Sequence, residues 1–220
     1  MNIGPVLFGL SARALSALGE FGCDVLLERS LADALPTVEP DAQVTLRLAS
    51  PADIDEICRM YSSDPWLYIG DPTPSPGSHE RARELYLDRL NRGELCFLAM
   101  VGDAIAHINW ICFSWGDALP EHPIRLRAGE IYTTDALTPP PFRGRSLHPF
   151  VLRAMLAYAR ERGIRHAFTL ARVDRTNSLK GLHLLGWKEC GRVIYFLPRG
   201  RTKAWFLWRR GNLEPMFRPG

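Results

Sequence analysis

Nine residues, Pro141-Phe142-Arg143-Gly144-Arg145-Ser146-Leu147-His148-Pro149, form a short basic run between a strand-like segment (Glu130 to Leu137) and an amphipathic helical one (Phe150 to Arg162). A strand that feeds a tight loop and then a helix start aims unpaired backbone amides and the positive end of a helix dipole at one point. Such a point holds an anion, most often a phosphate. Arg143 and Arg145 can add charge-assisted contacts to it. Pro149 favours the first helical position and pushes its predecessor out of the α region, which predicts His148 as the N-cap; the proline itself brings no N–H to the cradle. The chemistry expected here is the handling of a phosphorylated cofactor.

The elements that must position this loop follow from periodicity and turn residues. Val44 to Leu48 alternates as a strand, and Ser50-Pro51-Ala52-Asp53 opens a helix reaching about Tyr61. Asp71 to Ser78 is a proline-rich loop, and Glu80 to Asn91 is a second helix. Glu94 to Val101 and Ala104 to Phe113 flank Gly102-Asp103 as a hairpin. A loop from Gly116 to Arg125 leads to the strand Glu130 to Leu137, the basic loop and its helix. His166 to Arg172 (strand), Asn177 to Leu185 (helix), Trp187 to Leu197 and Lys203 to Trp208 (strands) complete the order β-αα-β-β-β-α-β-α-β-β. Ahead of these, Leu7, Leu10, Ala14, Leu18 and Phe21 recur at helical spacing with Gly22 as a stop, and Asp24 to Arg29 reads as a short strand. The division expected is an N-terminal helix-strand extension (1–42), a main domain (43–210) and a tail (211–220).

Composition narrows the class. The chain has 220 residues, 46% hydrophobic and 23% charged, as in an ordinary soluble domain. Its formal net charge of +3 argues for no nucleic-acid partner by itself. The charge is uneven, however: residues 140–180 carry nine Lys or Arg against Glu161 and Asp174, a local net of +7. RNA binding by this stripe would call for interleaved exposed aromatics, which the stripe lacks. Val6 to Leu27 is apolar but interrupted by Arg13, Glu20 and Asp24, so it reads neither as a signal peptide nor as a membrane span. The five cysteines are dispersed and show no CxxC pair, so no disulfide framework and no metal site are expected, and a cytoplasmic setting fits.

The element order, with the basic loop after the fourth strand of the main domain, resembles the GCN5-related N-acyltransferase (GNAT) fold over roughly residues 43–210. The most specific segment is Leu137-Thr-Pro-Pro-Pro-Phe-Arg-Gly-Arg-Ser-Leu-His, which is similar to the family's acyl-CoA loop, R-G-x-G-x-G/A. A second match, Ser178-Leu-Lys-Gly-Leu-His-Leu-Leu-Gly-Trp, is similar to the family's helix ending in Gly-Phe. Ser146 and His148 stand where the two later loop glycines are usual, and only Gly144 remains, so cofactor contacts are expected to be weakened or re-shaped.

The resemblance implies an α/β fold with a mixed, mostly antiparallel sheet flanked by helices, and an enzyme that passes an acyl group, expected to be acetyl, from acyl-CoA to a primary amine. Backbone amides at Ala136, Leu137 and Thr138 would hold the pantetheine arm and polarise the thioester. Those from Arg143 and Gly144 through Arg145, Ser146 and Leu147 to His148 would hold the pyrophosphate, and Asn177 or Ser178 would touch the arm from the far side. Glu130, thirteen residues before Arg143, stands where lysine-acetylating members carry their catalytic glutamate. Strand alternation puts Tyr132 and Thr134 on its face if no bulge intervenes; Asp135 and His107 are reserve candidates for proton transfer. The tyrosine that often protonates the leaving thiolate falls at Leu182, with His183 and Tyr195 as substitutes. Trp66, Tyr68, Trp110 and Trp115 are candidates for an acceptor pocket or for the core. The acceptor expected is a small-molecule or protein amine, with no nucleic acid, no integral membrane segment and a homodimer as a candidate assembly. The alternative is a non-catalytic GNAT-like module that binds CoA, a nucleotide or an acyl carrier and acts through a partner.

Overall fold

A computed structural model describes residues 19–62, 78–113, 115–119, 122–198 and 205–211. The elements are β1 (Gly19–Ser30), β2 (Thr45–Leu48), α1 (Ile54–Ser62, entered through a short 3-10 turn, Pro51–Asp53), α2 (Ser78–Asn91), β3 (Leu95–Val101), β4 (Ala104–Cys112), β5 (Trp115–Leu119), β6 (His122–Arg125), β7 (Glu130–Leu137), α3 (Leu147–Glu161), β8 (His166–Arg172), α4 (Thr176–Leu184), β9 (Lys188–Pro198) and β10 (Trp205–Gly211). Eight strands form one sheet in the order β10-β9-β1-β8-β7-β4-β3-β2. Every neighbouring pair is antiparallel except β7 and β8, whose parallel pairing is made possible by the crossover helix α3. This is the mixed, mostly antiparallel α/β architecture expected.

The two faces of the sheet carry different helices, as strand alternation requires. Val151, Leu152, Met155, Leu156 and Ala159 of α3 pack on Val25, Leu27, Phe97, Ile111, Ile131 and Ala167. Ile54, Ile57, Cys58 and Tyr61 of α1, with Ala82 of α2, pack on Cys96, Leu98, Ile108, Trp110 and Leu137 of the other face. At the entry to α1 the backbone N–H of Ser50 donates to Asp53 at 2.8 Å, and Arg47 donates to the same carboxylate. The Arg47 hydrogen bond, helped by those from Ser50, holds the Asp53 carboxyl well below its usual range.

Four expectations are corrected. The strand read as part of an N-terminal extension is an interior strand: β1 lies between β8 and β9, antiparallel to both. Val25, Leu26 and Leu27 are buried on both of its faces, which is why the apolar run is continuous rather than alternating. The expected helix up to Gly22 lies mostly outside the described residues, but from Gly19 onward the chain is strand. Gly22 serves close approach instead of termination, since a Cβ there would fall 2.0 Å from the Tyr195 ring.

The segment Gly116 to Arg125, expected as a loop, contributes to a small hairpin, β5 paired with β6. Finally, α3 starts three residues earlier than expected, with Ser146 as N-cap in the left-handed region (φ 55°). His148 therefore lies within the first helical turn, and Pro149 is the third helical residue, where its missing N–H is still one of the four that lack a helical acceptor. The expected terminal strand is present as β10 on β9. The proline-rich loop Asp71 to Ser78 lies outside the described residues up to its last position, which begins α2.

Candidate active site

β7 changes character halfway along. Its first four residues, Glu130 to Thr133, pair in parallel with His166 to Thr169. The Thr169 hydroxyl then donates to the Thr133 carbonyl at 2.8 Å, closing the last rung. Beyond it β7 follows β4 instead: Trp110 faces Thr134 and Ile108 faces Leu137, so two residues of β7 stand against Asn109 alone. The extra residue makes a β-bulge, and Asp135 adopts a left-handed backbone (φ 54°) that few side chains tolerate but aspartate does. A bulge bends its strand, and β7 and β8 part above Thr133.

The bulge is clamped from behind. The Tyr61 hydroxyl donates to the Asp135 carbonyl at 2.5 Å. Arg89 of α2, itself buried, pairs with the Asp135 carboxylate at 2.5 Å and with Glu94 at 2.7 Å, and its guanidinium lies 4.2 Å over the Trp110 ring. Burial works against the Arg89 charge, but Asp135 and Glu94 outweigh it and raise its pKa. One residue from each of α1 and α2 thus holds a single strained residue, with Glu94, just before β3, backing Arg89.

In the opening between the strands lies a pocket of about 70 Å³, lined by Asn109, Thr133 to Ala136, His148, Thr169, Leu170, Ser178 and Leu182. Polar groups dominate this wall. The Asn109 side chain is buried and its Oδ1 has no hydrogen-bond partner. Buried polar groups are normally satisfied, so this oxygen of a pocket-lining residue is an acceptor left over among the described residues.

The sequence-derived residues divide clearly. Ala136, His148 and Ser178 meet at the pocket, and Asp135 joins them with its carboxylate already engaged by Arg89. Leu137 and Leu147 are core side chains whose contribution to a ligand would be backbone only. Thr138 bonds His107 Nδ1 at 2.7 Å and accepts at its carbonyl from Arg143 Nε at 2.9 Å. Gly144 (φ 77°) has open space where a Cβ would be, and Arg145 is exposed with its guanidinium near the Phe142 ring. Asn177 sits in the first turn of α4 but does not line the pocket.

The four catalytic candidates lie in different surroundings. Glu130 lies at the opposite end of β7, roughly 10 Å along the strand from Thr133, and its carboxylate accepts the Arg127 N–H at 2.8 Å to close the preceding turn. Tyr132 points into the core with Leu26, Phe168 and Tyr195, and burial pushes its phenol well above the usual range. The Asp135 carboxylate is paired with Arg89. His107 is buried, with its Nε2 unpartnered and its ring centroid 5.5 Å from that of His148; burial, then the neighbouring imidazole, holds its pKa far below the ordinary value. Tyr195 is core, and His183 faces the Trp187 carbonyl at the end of α4. Trp110 is core too; Trp66 and Tyr68 lie outside the described residues, as does the side chain of Trp115.

Sequence reading missed Asn109, Thr133 and Thr169, and gave Thr134 no role beyond sharing a face with Glu130. The repeated threonines on β7 and the asparagine inside an apolar strand were visible, but only the bulge brings them to one opening. Among the described residues no group of three or more His, Cys, Asp or Glu could hold a metal ion, and no helix is long and apolar enough to cross a membrane.

No protein-family model matches the sequence, and no curated protein is similar to it. The folded chain does match solved structures. A GCN5-related N-acetyltransferase from Sphaerobacter thermophilus aligns over 93% of this chain and 55% of its own at 18% identity, with a TM-score of 0.59. A GNAT-family acetyltransferase from Colwellia psychrerythraea aligns over 84% of this chain and 59% of its own at 12% identity (TM-score 0.56). The ribosomal-protein-alanine N-acetyltransferase of Brucella melitensis aligns over 76% of this chain and 99% of its own at 17% identity (TM-score 0.55). The chain thus spans little more than half the length of the first two. At these identities the likeness is one of architecture: the chain has the fold of the GCN5-related N-acetyltransferases.

Proposed function

We propose that the protein is an acyl-CoA-dependent N-acyltransferase that passes an acyl group, acetyl by preference, to a primary amine by direct attack on the thioester. The observation that carries this reading is the opening of β7 from β8 above Thr133, with a polar pocket in the gap and the start of α3 at its end. Parted strands leave backbone groups free to pair with an amide-bearing chain, as the pantetheine arm is. Its N–H groups suit the unpartnered Asn109 Oδ1, and its diphosphate suits the first-turn amides of α3 with Arg145 beside them. Ser178 would touch the arm from α4. Amides at the bulge, Asp135 and Ala136, would polarise the thioester carbonyl, a contribution of the oxyanion-hole type.

The acceptor is a small-molecule or protein amine, and the setting we favour is cytoplasmic. A second reading, a non-catalytic module that binds CoA, a nucleotide or an acyl carrier and acts through a partner, is favoured by one observation: the carboxylate that reaches the pocket, Asp135, is spent on Arg89. Thermal unfolding with acetyl-CoA, longer acyl-CoAs and free CoA tests the shared site, since a ligand of the native state raises its stability. Amine-dependent thiol release then separates the readings. A shift without thiol release selects the module, and no shift at millimolar CoA removes the acyltransferase and favours a module whose ligand is a nucleotide or an acyl carrier.

A further inference from the structure

The pocket is small for the cofactor that the acyltransferase reading assigns to it. Its volume of about 70 Å³ is under half the ~150 Å³ that a benzene-sized ligand takes, and far below the roughly 300–1,000 Å³ of a ligand cleft. On that reading a wall has to move. Asn109, Thr133 and Thr169 are buried in the sheet, Leu182 is core, Leu170 packs beside Tyr132, and Asp135 is held by Arg89. His148 differs from all of these. It stands in the first turn of α3, is partly exposed, and its ring makes no hydrogen bond among the described residues.

The ring spans the space between β4 and α4. Toward β4 its centroid lies 5.5 Å from that of His107. Toward α4 it meets Gly181, which shares a helix face with the pocket-lining Ser178 and Leu182. A Cβ on Gly181 would fall 3.5 Å from His148 Nδ1, so that nitrogen stands no more than about 5 Å from the Gly181 Cα. A chain threading between them needs about 7 Å, one van der Waals contact on each side. The cofactor's arm, running from the gap above Thr133 past Ser178 to the start of α3, has to pass here.

Resting on the acyltransferase reading, we propose that His148 is a gate on the cofactor site: its ring closes the passage between α3 and α4, and the arm enters only when the ring turns out to solvent. The ring is held shut by packing, with no hydrogen bond to break among the described residues, and its exposed edge gives it a way out through a change of rotamer. Closure lowers the apparent affinity in proportion to the open fraction, so a passage open in about one molecule of ten weakens CoA binding about tenfold. It also slows association, because binding waits on the opening.

The test compares the affinity and association rate of free CoA with those of 3′-phospho-ADP, which carries the diphosphate but no arm, on the whole chain. His148→Ala is expected to bind CoA at least about tenfold tighter, chiefly through faster association, and to change 3′-phospho-ADP affinity by less than about threefold. His148→Phe, which keeps the bulk of the ring, is expected to stay with the wild type. CoA binding that is equal or weaker in His148→Ala, an equal gain for 3′-phospho-ADP, or a His148→Phe that matches His148→Ala each overturns the gate and leaves the acyltransferase reading standing. In the wild-type chain, a nuclear Overhauser contact between the His148 ring and the Gly181 Hα is expected without ligand and lost with CoA. Its persistence in the CoA complex also overturns the gate, however the variants fold. If neither the wild type nor His148→Ala binds CoA at millimolar concentration, the acyltransferase reading falls, and the gate with it.

Discussion

The two halves of β7 obey opposite rules. From Glu130 to Thr133 the strand is zipped to β8, with β4 joining on the other side at Tyr132 and Thr133; its side chains alternate between two cores, and its one acidic group closes a turn. From Thr134 to Leu137 it keeps one neighbour, carries a residue in left-handed backbone and turns polar groups to a pocket. The zipped half is stable because its hydrogen bonds are made within the sheet. The open half is where the proposed cofactor would pair, and Arg89 and Tyr61 hold its bulge from the far side. Strain at a site of this kind is kept only where the surroundings over-determine it.

The largest effect expected comes from breaking the clamp. Arg89→Met leaves Asp135 and Glu94 without their buried counter-charge and should cost about 3–5 kcal/mol in urea unfolding; a loss below ~1 kcal/mol would show that the bulge stands without it. Next is the rung at which the halves meet. Thr169→Val removes the hydroxyl on the Thr133 carbonyl and should cost about 1–3 kcal/mol, with any change in the CoA thermal shift reporting how far the opening depends on that rung.

Acidification tests the open half more gently. His107 and His148 are held neutral in the folded state, so the unfolded chain binds more protons below its ordinary histidine pKa of about 6.5. Stability should therefore be full above that pH and decline as pH falls toward about 4, by at most about 1.4 kcal/mol per pH unit for each histidine. Urea midpoints between pH 4.5 and 7.5 should show this slope, and His107→Gln should flatten it. The smallest effect belongs to the zipped end. Glu130→Gln should change stability by no more than about 1 kcal/mol and leave thiol release within about twofold; a collapse of turnover would return the base to Glu130 and undo the division drawn here.

Most of the fold was legible along the chain. Glu130 to Leu137 and His166 to Arg172 appear as strands with the bounds expected, because local alternation and turn residues mark them. What was not legible depended on distant partners. Nothing local says that Val25, Leu26 and Leu27 insert between β8 and β9, since a continuous apolar run fits many interior positions. Asp135 looked like a reserve acid because its partner, Arg89, lies 46 residues away. Glu130 was expected as a base from its place thirteen residues before Arg143, and that spacing does not report which end of the strand opens.

The opening loop shows the same boundary. Its residue types alone determined that a strand, a basic turn and a helix start converge, since proline, glycine and arginine act over a few residues. Where the helix begins, and hence that His148 enters a pocket instead of capping a helix, was decided by tertiary packing: Leu147 had to be buried, and a bulge four strands into the sheet had to open the space beside it. Local sequence sets conformational preference; only the closed sheet sets which polar groups lose their partners.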